Sequence, residues 1–282
     1  MFRELLGQHF VHVALIAAAL IGVVSGVVGT FVVLRQMSFA VHAVSELGFT
    51  GAAAALVVGL APQVGLVVGS MAFAAVLGVL TLPERGRDAA IGSFLAFGLG
   101  LGVLLLSQYQ GYATEATNLL FGSIVGVSDL QLRWLAICCV AVLAATAVLW
   151  RPLLFLSVDP DVAEARGVPV RVISILFLLT LAVATAVAIQ IVGVLLILTL
   201  MVTPAAAAQR VARSPGWAVA LAVSFAVVSS VGGVLLSLLW AYPVSFFVAT
   251  ISFGIYVAAR LFSAARQRPR RSRGPARRAS PS

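Results

Sequence analysis

Residues 11–34 read VHVALIAAALIGVVSGVVGTFVVL, a run of 24 positions with no Asp, Glu, Lys or Arg. A bilayer core about 30 Å thick is crossed by roughly 20 apolar residues in a helix, so this run is long enough to span it. It is too long for the apolar core of a signal peptide and lacks a credible cleavage site, so it is expected to remain as a membrane helix. Eight more apolar stretches follow: Val41–Ala61, Val64–Leu82, Ala89–Ser107, Leu132–Trp150, Val172–Ile189, Ile191–Ala208, Trp217–Trp240 and Val244–Phe262. Of the 282 residues 62% are hydrophobic and 10% charged, with a mean hydropathy of +1.13. Soluble domains are roughly half apolar and a quarter charged, so a soluble enzyme is excluded. The expected fold is all-α, a polytopic transmembrane helical bundle of eight or nine spans, the lower number applying if the first segment does not cross fully. Between the fourth and fifth stretches, Tyr112–Val127 is semi-polar and reads as a loop with a short helix or re-entrant piece.

Charge gives the orientation. The chain has 18 basic residues, all arginine, against nine acids, and seven of the arginines fall in the last 17 residues. Residues 1–265 are therefore read as the transmembrane domain and 266–282 as an Arg-rich disordered tail. Beside a membrane helix such a tail marks the cytoplasmic side and touches anionic lipid; a nucleic-acid partner is not expected. With the tail inside, alternation puts the turn at Tyr242 and Pro243 outside and Arg210 and Arg213 inside. It also puts the turn near Gln190 outside, and Arg151–Arg171, Pro83–Asp88 and Arg35 inside. The expected location is the plasma (inner) membrane of a bacterium, with a cytoplasmic C-terminus.

There is no lysine. A nucleotide-binding P-loop needs one to reach the phosphates, so any ATP-driven step must belong to another polypeptide. The adjacent Cys138 and Cys139 lie in an apolar helix, where neighbours diverge by about 100°, and read as small buried hydrophobes rather than a disulfide. Gly22/Gly26, Gly65/Gly69 and Gly98/Gly102 each line one helix face and predict close backbone packing.

Glu46 is the one acid that falls inside a predicted span, and His42 precedes it by four residues, on the same helix face. An ionisable group at membrane depth costs at least ~2.5–3.5 kcal/mol, so it needs a partner or a purpose. An imidazole and a carboxylate suit Zn²⁺, Mn²⁺ or Fe²⁺. Spacing alone leaves two readings open: the pair hides itself by mutual bonding, or it meets a cation. His9 and His12, at the start of the first span, read as interfacial residues, with a ligand role at the outer mouth as the alternative.

The loop Asp159–Arg171 reads DPDVAEARGVPVR. Asp159 suits an N-cap, Pro160 the first turn, and Glu164, Ala165 and Arg166 a short helix that Gly167 closes and Pro169 stops. It reads either as an ordinary surface loop or as a helix that docks on a soluble partner.

At these places the chain resembles the integral-membrane permeases of bacterial ABC importers for zinc, manganese and iron, from about Val24 to Leu261. The second helix opens with Arg35, Met37, Ser38 and Phe39. Further matches are Leu120–Ile124, the Asp159–Pro169 loop, and Val192–Leu196 leading to Thr203-Pro204-Ala205-Ala206. The family usually has Asp where this chain has His42, and His where it has Glu46, so the two ligand types persist in reversed order; Phe49-Thr50-Gly51 stands where a Pro often follows. The resemblance implies a transport subunit with no nucleotide site of its own and no permanently bound cofactor. It would pass a divalent metal ion, Zn²⁺ or Mn²⁺, along His42 and Glu46. The implied partners are cytoplasmic ATPase subunits seated on Asp159–Pro169, an extracytoplasmic metal-binding protein, and a second permease copy. The alternative within transport is a permease for a metal chelate of the siderophore or cobalamin type. A membrane metallo-hydrolase would need further ligands and a base such as an HExxH helix, which the sequence lacks. In a membrane scaffold without transport, His42 and Glu46 would be structural.

Overall fold

A computed structural model describes residues 8–79, 87–109, 127–194, 196–240 and 242–267. Within them the chain forms ten helices: α1 His9–Leu34, α2 Ser38–Val57, α3 Pro62–Val79, α4 Arg87–Gln108, α5 Asp129–Val158, α6 Pro160–Ala165, α7 Val170–Val192, α8 Ile197–Val211, α9 Pro215–Leu239 and α10 Val244–Gln267. Eight are long and apolar enough to cross a membrane; α8, with 15 residues, and α6, with six, are not. The Tyr112–Gly126 part of the expected loop, the Leu120–Ile124 motif and the tail beyond Gln267 lie outside the described residues.

Small residues set how closely the helices approach. α1 and α9 run antiparallel: Gly22 faces Val227, Gly26 faces Val223, and the Ser230 hydroxyl donates to the Ala18 carbonyl at 2.9 Å. Gly65 and Gly69 lie against Gly51 of α2, while Gly98 and Gly102 lie against Leu47, Phe49 and Thr50. All three predicted glycine pairs therefore sit at helix crossings where a Cβ would collide, the close approach expected of small residues in a membrane bundle. Cys138 and Cys139 are free thiols, the latter buried.

Long-range contacts sort the helix ends into two sets. Arg35 Nη2 donates to Ser174 Oγ at 2.8 Å, Arg171 Nη2 to the Val79 carbonyl at 3.0 Å, and Gln209 Nε2 to the Thr30 carbonyl at 3.2 Å. These bonds gather the end of α1, the end of α3, the start of α7 and the end of α8 at one end of the bundle. Arg35, Arg166, Arg171, Arg210 and Arg213 cluster there. The starts of α1 and α5 meet at the opposite end, where His9 Nε2 lies 3.0 and 3.2 Å from the two Asp129 carboxylate oxygens. The predicted alternation is thus reproduced in the contacts, with Arg133, near the start of α5, as an arginine outside the cluster.

One expected boundary is corrected. The helix expected over Ile191–Ala208 is shorter: α7 runs past Gln190 to Val192, Gly193 breaks the chain at φ 84, and α8 begins only at Ile197. Positive φ carries little penalty for glycine, which makes it the natural stop inside an otherwise unbroken apolar run. α5 also extends further than expected, past Pro152, because Leu153 and Leu156 beyond it are buried.

Candidate metal-conducting site

The site is built on α2. A tight turn, with Gln36 at φ 53 and the Met37 amide bonded to the Val32 carbonyl at 2.8 Å, reverses the chain between α1 and α2. Along α2, Gly51 packs backbone to backbone against Gly65 and Gly69, and the Ser70 hydroxyl donates to the Val44 carbonyl at 3.3 Å. Thr50 Oγ1 donates to the Gly98 carbonyl of α4 at 2.6 Å and is 3.1 Å from the Glu46 carbonyl. At about 100° per residue, Val44, Gly48 and Gly51 occupy the side facing α3, which leaves His42 and Glu46 on the side turned away from it. The other described helices that meet α2 include α7 and α8.

Glu46 is 5% exposed and His42 is half-buried. His42 Nδ1 and Glu46 Oε2 are both buried without a hydrogen-bond partner. These two atoms therefore do not bond each other. A buried polar atom with no partner costs roughly 1–3 kcal/mol, and more when it is charged. Two such atoms one turn apart, held by α2's seams with α3 and α4, form a donor pair of one imidazole nitrogen and one carboxylate oxygen. Among the described residues no group of three or more His, Cys, Asp or Glu converges on one point. The pair alone therefore offers two potential ligands, fewer than the four of a structural-zinc cage.

His9 and His12 do not join it. His9 is engaged with Asp129 at the end away from the arginines, and His12 is exposed. Eleven residues separate Glu46 from that end of α2, about 17 Å of helix at 1.5 Å per residue. The Asp129 partner was beyond sequence reasoning, since it lies 120 positions from His9. The polar links that fix α2, Thr50 to Gly98 and Ser70 to Val44, were also missed; a hydroxyl inside an apolar run was their only trace in the sequence.

The Asp159–Pro169 segment takes the predicted local form. Asp159 Oδ1 accepts from the Val162 amide at 3.0 Å, and Pro160 opens α6. The helix closes with the Gly167 amide on the Glu164 carbonyl at 2.9 Å and the Val168 amide on the Ala163 carbonyl at 3.1 Å, with Gly167 at φ 78. This double bond to the last turn is a Schellman cap, which needs a residue that accepts positive φ. Ala163 is buried, while Asp161, Val162, Glu164, Ala165 and Arg166 face outward.

Residues 8–263 match the family model described as the ABC 3 transport family. The chain belongs to that family. It is accordingly a multi-pass membrane permease of the ABC transporters, a transport subunit. It is 30% identical to the manganese transport system membrane protein MntC of Halalkalibacterium halodurans over 264 residues, covering 93% of this chain and 90% of the relative. It is 26% identical to the high-affinity zinc uptake system membrane protein ZnuB of Haemophilus influenzae over 225 residues, 79% and 86% of the two chains. Among solved structures, a chain of PsaBC from Streptococcus pneumoniae in complex with Fab superposes with a TM-score of 0.82 at 28% identity, covering 92% of this chain and 94% of that one.

Proposed function

We propose that this chain is the permease subunit of an importer for a bare divalent transition metal ion, Zn²⁺ or Mn²⁺, with Fe²⁺ as a further cargo, driven by separate cytoplasmic ATPases. The observation that carries this reading is the buried, unpartnered pair His42 Nδ1 and Glu46 Oε2 on one face of α2. A cation that passes there satisfies both atoms. An incomplete ligand set holds it loosely enough to leave again, as conduction requires. A second copy of the permease, meeting the first near a two-fold axis, would bring its own pair to the path. The named manganese and zinc transport relatives support this cargo class.

The arginine-rich end is taken as cytoplasmic on the positive-inside rule. That places α6 on the side of the ATPases, and its outward-facing Glu164, Ala165 and Arg166 offer one acid and one base to a partner surface. ATP binding and hydrolysis there would rock paired permeases between outward-open and inward-open states. An extracytoplasmic metal-binding protein would deliver cargo at the end that carries His9 and Asp129.

The test is metal uptake by cells or vesicles that hold the assembled transporter. Replacing His42 or Glu46 with Ala should abolish accumulation of free Zn²⁺ and Mn²⁺ at near-normal protein abundance. Chelated iron should not be taken up by the parent protein. Undiminished uptake by the variants would refute the site, and uptake of chelate but not free ion would favour a chelate permease.

A further inference from the structure

The chain has three histidines, and two of them stand beside a carboxylate: His42 with Glu46 inside the bundle, and His9 with Asp129 at the opposite end from the arginines. The second pair brings two separate helix starts together. Both carboxylate oxygens of Asp129 converge on one imidazole nitrogen, at 3.0 and 3.2 Å, and the two side chains are 78% and 62% exposed. A hydrogen-bonded contact this exposed contributes little to holding α1 against α5. That seam already has packed contacts of its own, so a merely fastening role explains little.

We propose that His9 and Asp129 form a second, weaker site for the same divalent cations at the mouth of the permease, a receiving site from which cargo passes inward to Glu46 and His42. This rests on the metal-import reading given above. Metal–nitrogen and metal–oxygen bonds of about 2.1 Å place two ligand atoms about 3.0 Å apart at a right angle and about 3.4 Å apart at the tetrahedral angle, so a cation could replace the bridging proton once the two side chains separate by a few tenths of an ångström. The donor set, one imidazole and one carboxylate, is the same as at the inner pair. Exposure leaves the remaining coordination positions to water, which suits capture and rapid release. His12, one turn along α1 and exposed, is not a third ligand in this arrangement. Arg133, four residues along α5 from Asp129 and exposed, carries the same charge sign as a cation and would weaken such a site.

The experiment uses the assembled transporter in lipid nanodiscs with Co²⁺ as the spectroscopic probe. In a permease carrying both His42→Ala and Glu46→Ala, Co²⁺ should still bind at one site per permease, and adding His9→Lys should abolish that binding. Lys places a positive charge opposite Asp129 and removes the imidazole, whereas Asp129→His keeps two ligands and removes the carboxylate. Co²⁺ binding should therefore survive Asp129→His and vanish in His9→Lys. With the inner pair intact, His9→Lys should raise the KM for Zn²⁺ uptake at least threefold with the maximal rate unchanged, and Arg133→Gln should tighten Co²⁺ binding about two- to threefold. Loss of all Co²⁺ binding in the His42→Ala, Glu46→Ala background would overturn the proposal. So would a His9→Lys protein with parental KM, or an Asp129→His protein that loses binding while remaining assembled. Failure of the inner site would show separately, as undiminished uptake by the His42 and Glu46 variants.

Discussion

Gly51→Ala should separate α2 from α3 and damage the permease from within. A Cβ at Gly51 would overlap the Gly65 carbonyl oxygen and stand 2.8 Å from the Gly69 Cα. Ordinary carbon–carbon contact is about 3.5–4.0 Å, so relief of the second contact alone asks for roughly 1 Å of displacement. Both obstacles are backbone and cannot rotate aside. Overpacking of this kind costs about 1–3 kcal/mol, and the collision with two backbones argues for the upper end. Ala gains about 1 kcal/mol over Gly in helix propensity, which leaves a net loss of about 2 kcal/mol, roughly thirtyfold in an equilibrium constant. The displacement also moves the face that carries His42 and Glu46. The assay is thermal stability of the purified permease in detergent or nanodiscs, read by size-exclusion profile after heating, together with uptake. Gly100→Ala on α4 is the control, since a Cβ there meets nothing within 4 Å. Gly51→Ala should melt well below the parent and Gly100→Ala should match or exceed it. Equal stability of the two variants would refute the close α2–α3 seam on which the site's placement depends.

Asp159→Ala removes the α6 N-cap and should cost about 0.5–2 kcal/mol locally, seen as faster hydrogen exchange at the Val162 amide. Glu164→Lys or Arg166→Glu should leave permease abundance unchanged while uncoupling ATP hydrolysis from uptake; retained coupling would remove α6 as the docking element. Thr50→Val deletes the hydroxyl bond to Gly98 and should lower stability by about 1 kcal/mol, measured by the same heating assay, with a fall in uptake as α2 loosens from α4.

Much of this architecture could be read from the sequence, because a bilayer imposes a length of apolar helix and a bias in arginine placement that survive in one dimension. The glycine pairs were legible for a similar reason: only small residues recur every four positions where backbones must touch. The break between α7 and α8 was not. Residues 189–198 read IQIVGVLLIL, with Gln190 the only strongly polar side chain, so hydropathy pointed to Gln190 as the turn, while backbone geometry placed it at Gly193. The end of α5 was also out of reach, since the apolar stretch stops at Trp150 while burial of Leu153 and Leu156 carries the helix on through Pro152. At the site, the one-turn spacing of His42 and Glu46 was visible, but what their polar atoms face depends on how α2 is rotated against α3. That rotation is set by Gly48, Gly51 and Ser70, residues whose role emerges only when two helices are brought together. The His9–Asp129 contact lies further still from sequence reach, joining helix starts with three intervening spans between them.

The most direct test is to locate the metal itself. Anomalous scattering, or X-ray absorption at the metal edge, on the assembled transporter loaded with Zn²⁺ or Mn²⁺ should place an ion between His42 and Glu46, about 2.0–2.2 Å from an imidazole nitrogen and a carboxylate oxygen for zinc. The signal should disappear in a His42→Ala, Glu46→Ala permease. An ion bound elsewhere, with His42 and Glu46 hydrogen-bonded to each other and indifferent to metal, would contradict the account.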